Sequence, residues 1–406
     1  MKKNQVAGAA AALSVCSFAL CLILYPNEVL DSSKNGLLIW GRNVFPALFP
    51  FFVTVELLTA FGVVRFLGVM LDPVMRPLFC VPGAGGFVWA AGFITGFPSG
   101  AKFTADLRKQ KKVTRGEAER LVSFTNASNP LFLGGAVAAG FFHTPELGLL
   151  LAFSHYSSTI IVGLIMRFHA YRDQGTVSSS VFSFRTAFQA LLDEQQEDRR
   201  PFGKKLGDAV ISSVHTLLMI GGFICIFSVL YRMFQVTAVI EYLSVLPAAA
   251  LSLLSIGTET AVPLLSGILE ITSGSRLTSS LDTVSLLEKI VVVSFILGFS
   301  GLSVHAQVAG ILAETDIRYL PFLAARCMHA VLAAIIAYVS FEPLYLFRTD
   351  QSVFTGPDQD TMMVSLWEQG MNAAAGFGGT ASICILLFYL ICLHLRKKPG
   401  HAAHDK

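Results

Sequence analysis

The chain is built of apolar stretches, each about 20 residues long, set apart by short clusters of charge. Wound as a helix, such a stretch covers the roughly 30 Å hydrocarbon core of a bilayer. A spanning segment must satisfy its own backbone hydrogen bonds, because hydrocarbon offers no partners. The pattern therefore dictates an all-α membrane protein. Charged residues make up 14% of the chain, against roughly 25% in a soluble domain. The net charge of +3 gives no reason to expect nucleic acid as a partner. The seven cysteines lie in or beside apolar segments, without a CxxC pair or a Cys/His cluster. They read as small buried side chains, and no metal or cofactor is expected.

Eight spans can be drawn, at 6–25, 37–61, 119–142, 147–168, 206–231, 285–312, 320–341 and 373–395. The first is longer than a signal-peptide core and no small-x-small cleavage site follows it, so it reads as retained. The stretch 63–79 carries Arg65, Asp72 and Arg76 and is interrupted by Pro73 and Pro77. It reads as an interfacial helix, with 234–256 as its non-crossing counterpart. Two further apolar segments are broken, 83–104 at Gly96-Phe97-Pro98-Ser99-Gly100 and 257–281 at Thr272-Ser273-Gly274. Cytoplasmic loops accumulate Lys and Arg. The basic clusters at 108–115, 199–205 and 396–398 share one side only if both broken segments are re-entrant hairpins. The expected plan is about eight transmembrane helices plus two re-entrant hairpins, with both termini cytoplasmic. Its parts are an N-terminal helix (1–35), a first repeat (36–169), a cytoplasmic linker (170–205), a second repeat (206–341), an outer loop (342–372) and a last helix with a basic tail (373–406).

The two halves resemble each other. Gly96 to Lys102 aligns with Glu270 to Arg276, and downstream Val122-Ser123-Phe124 with Val293-Ser294-Phe295. Polar breaks follow in both, Asn126-x-Ser128-Asn129-Pro130 in one and Ser300-Gly301-x-Ser303 in the other. With one hairpin entering from each side, this is an inverted repeat. Paired broken helices in such repeats hold the solute near the membrane midplane. Ser99, Gly100, Ser273 and Gly274 would line the tips, where backbone N–H groups can approach a ligand. Lys102 and Arg276 occupy equivalent positions just past the tips, and two cations would suit one or two carboxylates. The plainer alternative is that Lys102 belongs to the cytoplasmic basic cluster and snorkels. Asn126, Ser128 and Asn129 would line a cavity, joined by Ser300, Ser303 and His305, with Gln307 beside them. His155 and His215 read as interhelical hydrogen-bonding groups or proton relays, and Glu259 and Glu270 as ligands for a coupling cation. GxxxxGK[ST], HExxH and GxSxG are absent from the sequence, so no enzymatic activity is expected.

Several runs together resemble the YlbJ (SpoVV) sporulation integral membrane proteins. They are Val81-Pro82-Gly83-x-Gly85-Gly86, Gly92-x-x-x-Gly96-Phe97-Pro98-Ser99-Gly100-Ala101-Lys102, Glu117-Ala118-Glu119-Arg120-Leu121, Asn126-x-Ser128-Asn129-Pro130 and His155-Tyr156. The resemblance covers about residues 35–345, more specifically in its first half. It implies a nucleoside-recognition (Gate) domain on a plan similar to concentrative nucleoside transporters. It also implies a role in moving dipicolinic acid out of the mother cell across the outer forespore membrane. That solute is a flat ring with two carboxylates, which suits paired cations. Nucleoside uptake and a non-transporting sporulation scaffold are the rival readings, and a homo-oligomer is compatible with either.

Overall fold

The computed structural model describes residues 3–171 and 183–346, and every regular element among them is helical. The expected last span and nearly all of the outer loop lie outside the described residues. Helix α1 (Lys3–Leu24) precedes the first repeat, which holds α2 (Pro26–Ile39), α3 (Phe45–Ala60), α4 (Val63–Phe79), α5 (Ala84–Thr95), α6 (Ser99–Lys109), α7 (Arg115–Thr125) and α8 (Leu147–Met166). A wider-wound helical stretch, Leu131–Phe141, continues α7 beyond a break. The linker forms α9 (Phe184–Glu197). The second repeat holds α10 (Phe202–Val236), α11 (Val239–Leu243), α12 (Val245–Leu253), α13 (Ala261–Leu269), α14 (Ile271–Ser279), α15 (Leu286–Phe299), α16 (Gly301–Leu312) and α17 (Tyr319–Phe341). Among the described residues four helices are long and apolar enough to cross a membrane, or up to six if each bent pair is one span.

The repeat is written in the helix ends. Phe79 and Leu253, Thr95 and Leu269, and Thr125 and Phe299 each close equivalent helices, and each pair is 174 positions apart. The Val-Ser-Phe strings instead sit 171 apart, as do the capping boxes Thr114/Glu117 and Ser285/Glu288 that open α7 and α15. A capping box satisfies two orphan N–H groups and fixes a helix start. α15 thus starts in register with α7 but runs almost one turn further before it breaks.

Hydrogen bonds and ion pairs give the repeats opposite directions. The segment α2–α3 and its equivalent α10 lie side by side, joined by Glu28–Arg232 at 2.7 Å. Further along, the Trp40 indole donates to the Leu217 carbonyl at 2.8 Å, and Lys205 Nζ to that of Ala60 at 2.9 Å. Rising numbers on one side meet falling numbers on the other, so equivalent segments run antiparallel. Lys205 shares its end of the bundle with a dense ionic layer. Arg108 forks onto Asp316 through two 2.8 Å bonds, Lys109 pairs with Glu314, and Arg65 meets Glu194 at 3.0 Å. Buried Glu119 accepts from Arg318 through two further 2.8 Å bonds.

Several boundaries differ from the sequence reading. The second span starts at Pro26 rather than at 37, because Pro opens a helix readily at its first position and the polar turns after it carry little hydropathy. α1 meets that helix at a 100° bend. Pro73 and Pro77 do not interrupt α4. The change of direction comes earlier, as an 81° bend between α3 and α4, where Gly62 takes a left-handed φ of +80°.

The two broken segments are helical hairpins. At about 1.5 Å per residue, α5 is only about 18 Å long and α13 about 14 Å, each well short of a bilayer core. Both arms of the first hairpin emerge at the ionic layer: Gly83 N–H, just before α5, donates to Asp72, whose partner Arg76 lies 3.7 Å from Glu117 in the first turn of α7, while Arg108 at the end of α6 forks onto Asp316. The second hairpin also returns to where it began: Gly257 N–H and Lys289 Nζ tie its two ends to the start of α15. Glycines let each hairpin pack closely, on the next helix or between its own arms. A Cβ at Gly100 would overlap the Thr125 carbonyl, and one at Gly274 would overlap the backbone of Gly267. Gly274→Ala should therefore lower the unfolding temperature in detergent by an amount equivalent to about 1–3 kcal/mol of overpacking. Gly222→Ala, with open space around it, should leave that temperature unchanged or raise it slightly. Equal melting of the two variants would contradict the tight crossing.

Candidate functional site

Each hairpin tip packs on the break of the span that follows it. Gly100 lies against Thr125 and Asn126, and Gly301 lies against Ile271 and Gly267. The breaks differ in construction. α7 ends at Thr125, and the chain is irregular from Asn126 until Pro130. α15 ends at Ser300, whose φ of +75° is followed by +69° at Gly301. A non-glycine residue in that region is strained, and here two left-handed residues in a row turn the helix sharply.

Between the breaks lies a side chain that sequence reading passed over. Arg326, on α17, is fully buried. Its guanidinium donates to the Asn126 carbonyl at the first break and to the Gly298 carbonyl just before the second. It also donates to Nδ1 of His329 and stacks 5.8 Å from the centre of the Phe97 ring at the first tip. His329 turns its other nitrogen to the His155 carbonyl at 2.9 Å. His155 and His329 are 174 positions apart, and their rings lie 4.5 Å apart. The pseudo-two-fold relating the repeats thus passes between them. Arg326 breaks that symmetry, because its equivalent position holds Ala152.

The hydrogen bonds fix both imidazole tautomers. Arginine can only donate, so His329 Nδ1 is an acceptor and Nε2 carries the proton. The Ser128 backbone N–H donates to His155 Nε2 at 3.0 Å, so the His155 proton sits on Nδ1. That nitrogen is buried without a partner, as are the Ser99 hydroxyl and both polar atoms of the Asn126 side chain. An unmatched buried polar atom costs about 1–3 kcal/mol, and these four lie on the first tip, on the first break and on the histidine that accepts from it.

Other expected site residues are already engaged. Asn129 holds the tip in place, donating to the Thr95 carbonyl at 3.3 Å and accepting from Phe132 N–H at 2.7 Å. Ser128 anchors the first break further, its carbonyl accepting from the Tyr156 hydroxyl at 2.9 Å. His305 is saturated by the Tyr319 hydroxyl at 2.6 Å and the Phe299 carbonyl at 2.9 Å. Ser300 bonds back to the Phe299 carbonyl, while Ser303 and Gln307 are buried on α16. At the second tip, the Glu270 carboxylate accepts from the Thr272 and Ser273 N–H groups at 2.9 and 2.7 Å. The start of α14 therefore carries its own anion and does not offer free N–H groups at Ser273, contrary to the expectation from sequence. Glu259 and His215 are exposed.

Lys102 and Arg276 do not form the expected pair of free cations. Lys102 is bound to Glu56, which also accepts from the Ser212 hydroxyl at 2.8 Å, and it rests on the faces of Phe52 and Phe103. Arg276 is exposed on α14. Sequence symmetry placed the two at matching positions, but α3 supplies a carboxylate to Lys102 that the spacing could not reveal. Arg326 was legible on its own terms: a charge inside an apolar span is a functional candidate by default.

Comparison with known proteins identifies the chain's relatives. The Gate domain, described as nucleoside recognition, matches residues 42–192. The sporulation integral membrane protein YlbJ of Bacillus subtilis (strain 168) is 47% identical over 398 residues, covering 96% of this chain and 97% of that protein. The chain belongs to the YlbJ family of sporulation integral membrane proteins. A solved structure of a CNTnw variant in an outward-facing state covers 83% of this chain and 86% of that one, at 13% identity and a TM-score of 0.38. That similarity is too low to establish a shared fold.

The Lys102–Glu56 pair of this YlbJ-family protein has a test of its own. Lys102→Met alone should destabilise the chain by stranding Glu56 in a poorly solvated place. Lys102→Met with Glu56→Gln should recover much of the loss, with a coupling of about 0.5–3 kcal/mol in thermal unfolding. Additive losses would show that the pair contributes nothing.

Proposed function

We propose that the chain is a secondary-type transporter of a small anionic solute, dipicolinate, carried out of the mother cell toward the forespore by alternating access. The observation that carries this reading is the meeting of two broken spans around one buried guanidinium, in repeats that run antiparallel. Irregular backbone at membrane depth is tolerated only where protein buries it or where it lines a cavity. Inverted repeats supply two arrangements of the same parts, so that one site can face either side in turn. The two hairpins serve as re-entrant gates, and their tips with the breaks beside them form the binding region. The end that gathers Arg65, Arg108, Lys109, Arg115 and Lys205 faces the cytoplasm by the positive-inside rule.

Membership in a family of sporulation membrane proteins supports the setting, a multi-pass protein of the outer forespore membrane. Dipicolinate fits the chemistry: an aromatic ring for Phe97 and a carboxylate for the donors beside it. The Gate domain's description favours a second reading, nucleoside transport. Liposomes containing the purified chain should take up labelled dipicolinate, with competition by unlabelled dipicolinate and not by uridine. The reverse competition would replace dipicolinate with a nucleoside. In cells, a deletion strain should accumulate dipicolinate in the mother cell and lack it in the spore. Normal partition in that strain would favour a scaffold role.

A further inference from the structure

We infer that Arg326 is the counter-charge for one carboxylate of the solute, with Asn126, His155 and Ser99 as its neutral donors. This deepens the reading above and rests on it, since it names the residue and the single charge by which the solute is recognised.

Charge balance comes first. Arg326 is fully buried, and no Asp or Glu among the described residues pairs with it. Its acceptors are the carbonyls of Asn126 and Gly298 and a neutral imidazole nitrogen. A buried cation without an anion is strongly disfavoured, whereas one that receives an anionic ligand is not. Carbonyls can orient the guanidinium but cannot neutralise it.

Donor count comes second. A guanidinium has five N–H groups, and the bonds above use four, leaving one on Nη1 without an acceptor among the described residues. The His155 Nδ1 proton, the Asn126 amide and the Ser99 hydroxyl are likewise unmatched. Each of these groups has a proton to donate, and a carboxylate, an acceptor with two oxygens, matches those protons; the Asn126 Oδ1 accepts only and is not matched by it. The groups are linked through shared neighbours. Phe97 stacks on Arg326 at 5.8 Å and meets the His155 ring at 6.4 Å, while Gly100, next to Ser99, packs on Asn126.

Asymmetry comes third. Ala152 stands at the position equivalent to Arg326, and the second tip fills its own helix start with Glu270. The fold is two-fold, but the anion site is single and lies at the first tip. One buried cation neutralises one carboxylate, so a second carboxylate on the solute is not required for binding.

The test uses the full chain in nanodiscs and three probes read by calorimetry: dipicolinate, the monocarboxylate picolinate, and the uncharged pyridine-2,6-dicarboxamide. Wild type should bind picolinate within about tenfold of dipicolinate, and the diamide about 100-fold more weakly. Arg326→Gln should lose about 100-fold for both carboxylates while its diamide affinity changes less than about threefold. Arg326→Lys should fall between. A purely structural role in holding the two breaks would weaken all three probes alike. Equal binding of diamide and dianion by wild type, or undiminished dipicolinate binding by Arg326→Gln, would overturn the inference. If Arg326→Gln does not fold, His155→Gln and Asn126→Ala take its place, each expected to lose about tenfold for carboxylates only. Unchanged affinity in both would sink the assignment. Transport of dipicolinate that survives Arg326→Gln unaltered would refute this site and leave the transport reading standing. Carboxylate binding that depends on Arg326, without any transport in liposomes, would do the opposite.

Discussion

The guanidinium of Arg326 is the tie on which the centre of this molecule depends. Two helices, α7 and α15, stop inside the bundle, and each stop leaves carbonyls without intrahelical partners. Water cannot reach them freely, and lipid cannot help. Arg326 takes one carbonyl from each stop, fastening equivalent breaks of the two repeats to a third helix. The same side chain orders His329, and through it the ring pair on the pseudo-axis. Connectivity of this kind makes the centre a single unit, so the breaks, the first tip and the two histidines respond together to anything that binds there.

Around this tie the repeats supply a frame with matched parts and opposed directions. α10 lies antiparallel to α2–α3, pinned at the ends by Glu28–Arg232 and Lys205–Ala60. The ionic layer gathers loops from both repeats and the linker at one end, where ion pairs are cheap to solvate. The hairpins hang from this frame by glycine contacts, with little side-chain volume between their arms. The frame resists deformation through long helices, whereas the hairpins are short and attached at one end.

Much of this was legible in the sequence, and what was missed has physical reasons. The hairpins announced themselves because Gly96-Phe97-Pro98 and the polar run near Thr272 cannot continue an apolar helix. The breaks at Asn126 and Ser300 were visible for the same reason. Yet the second hairpin bends at Glu270, two residues before the polar run, because a carboxylate there caps α14. The pairing of Lys102 was hidden, since its partner Glu56 lies in a different span and no spacing rule connects them. Symmetry misled in one instructive way. Matching Lys102 with Arg276 assumed that chemistry follows the repeat, whereas the buried charge sits where the repeat is broken, at Arg326 opposite Ala152. His155 and His329 were matched by the repeat all along, but the Val-Ser-Phe strings suggested an offset three residues too short to bring them into register.

The bond between Lys102 and Glu56 ties the first hairpin to α3 in one register. Asp106 stands one helical turn beyond Lys102 on α6. Sliding α6 along its axis by that turn would set two carboxylates face to face, while the opposite slide would leave both partners of the pair unmatched in a poorly solvated place. The pair therefore works as a latch between α3 and α6 that resists slippage in either sense.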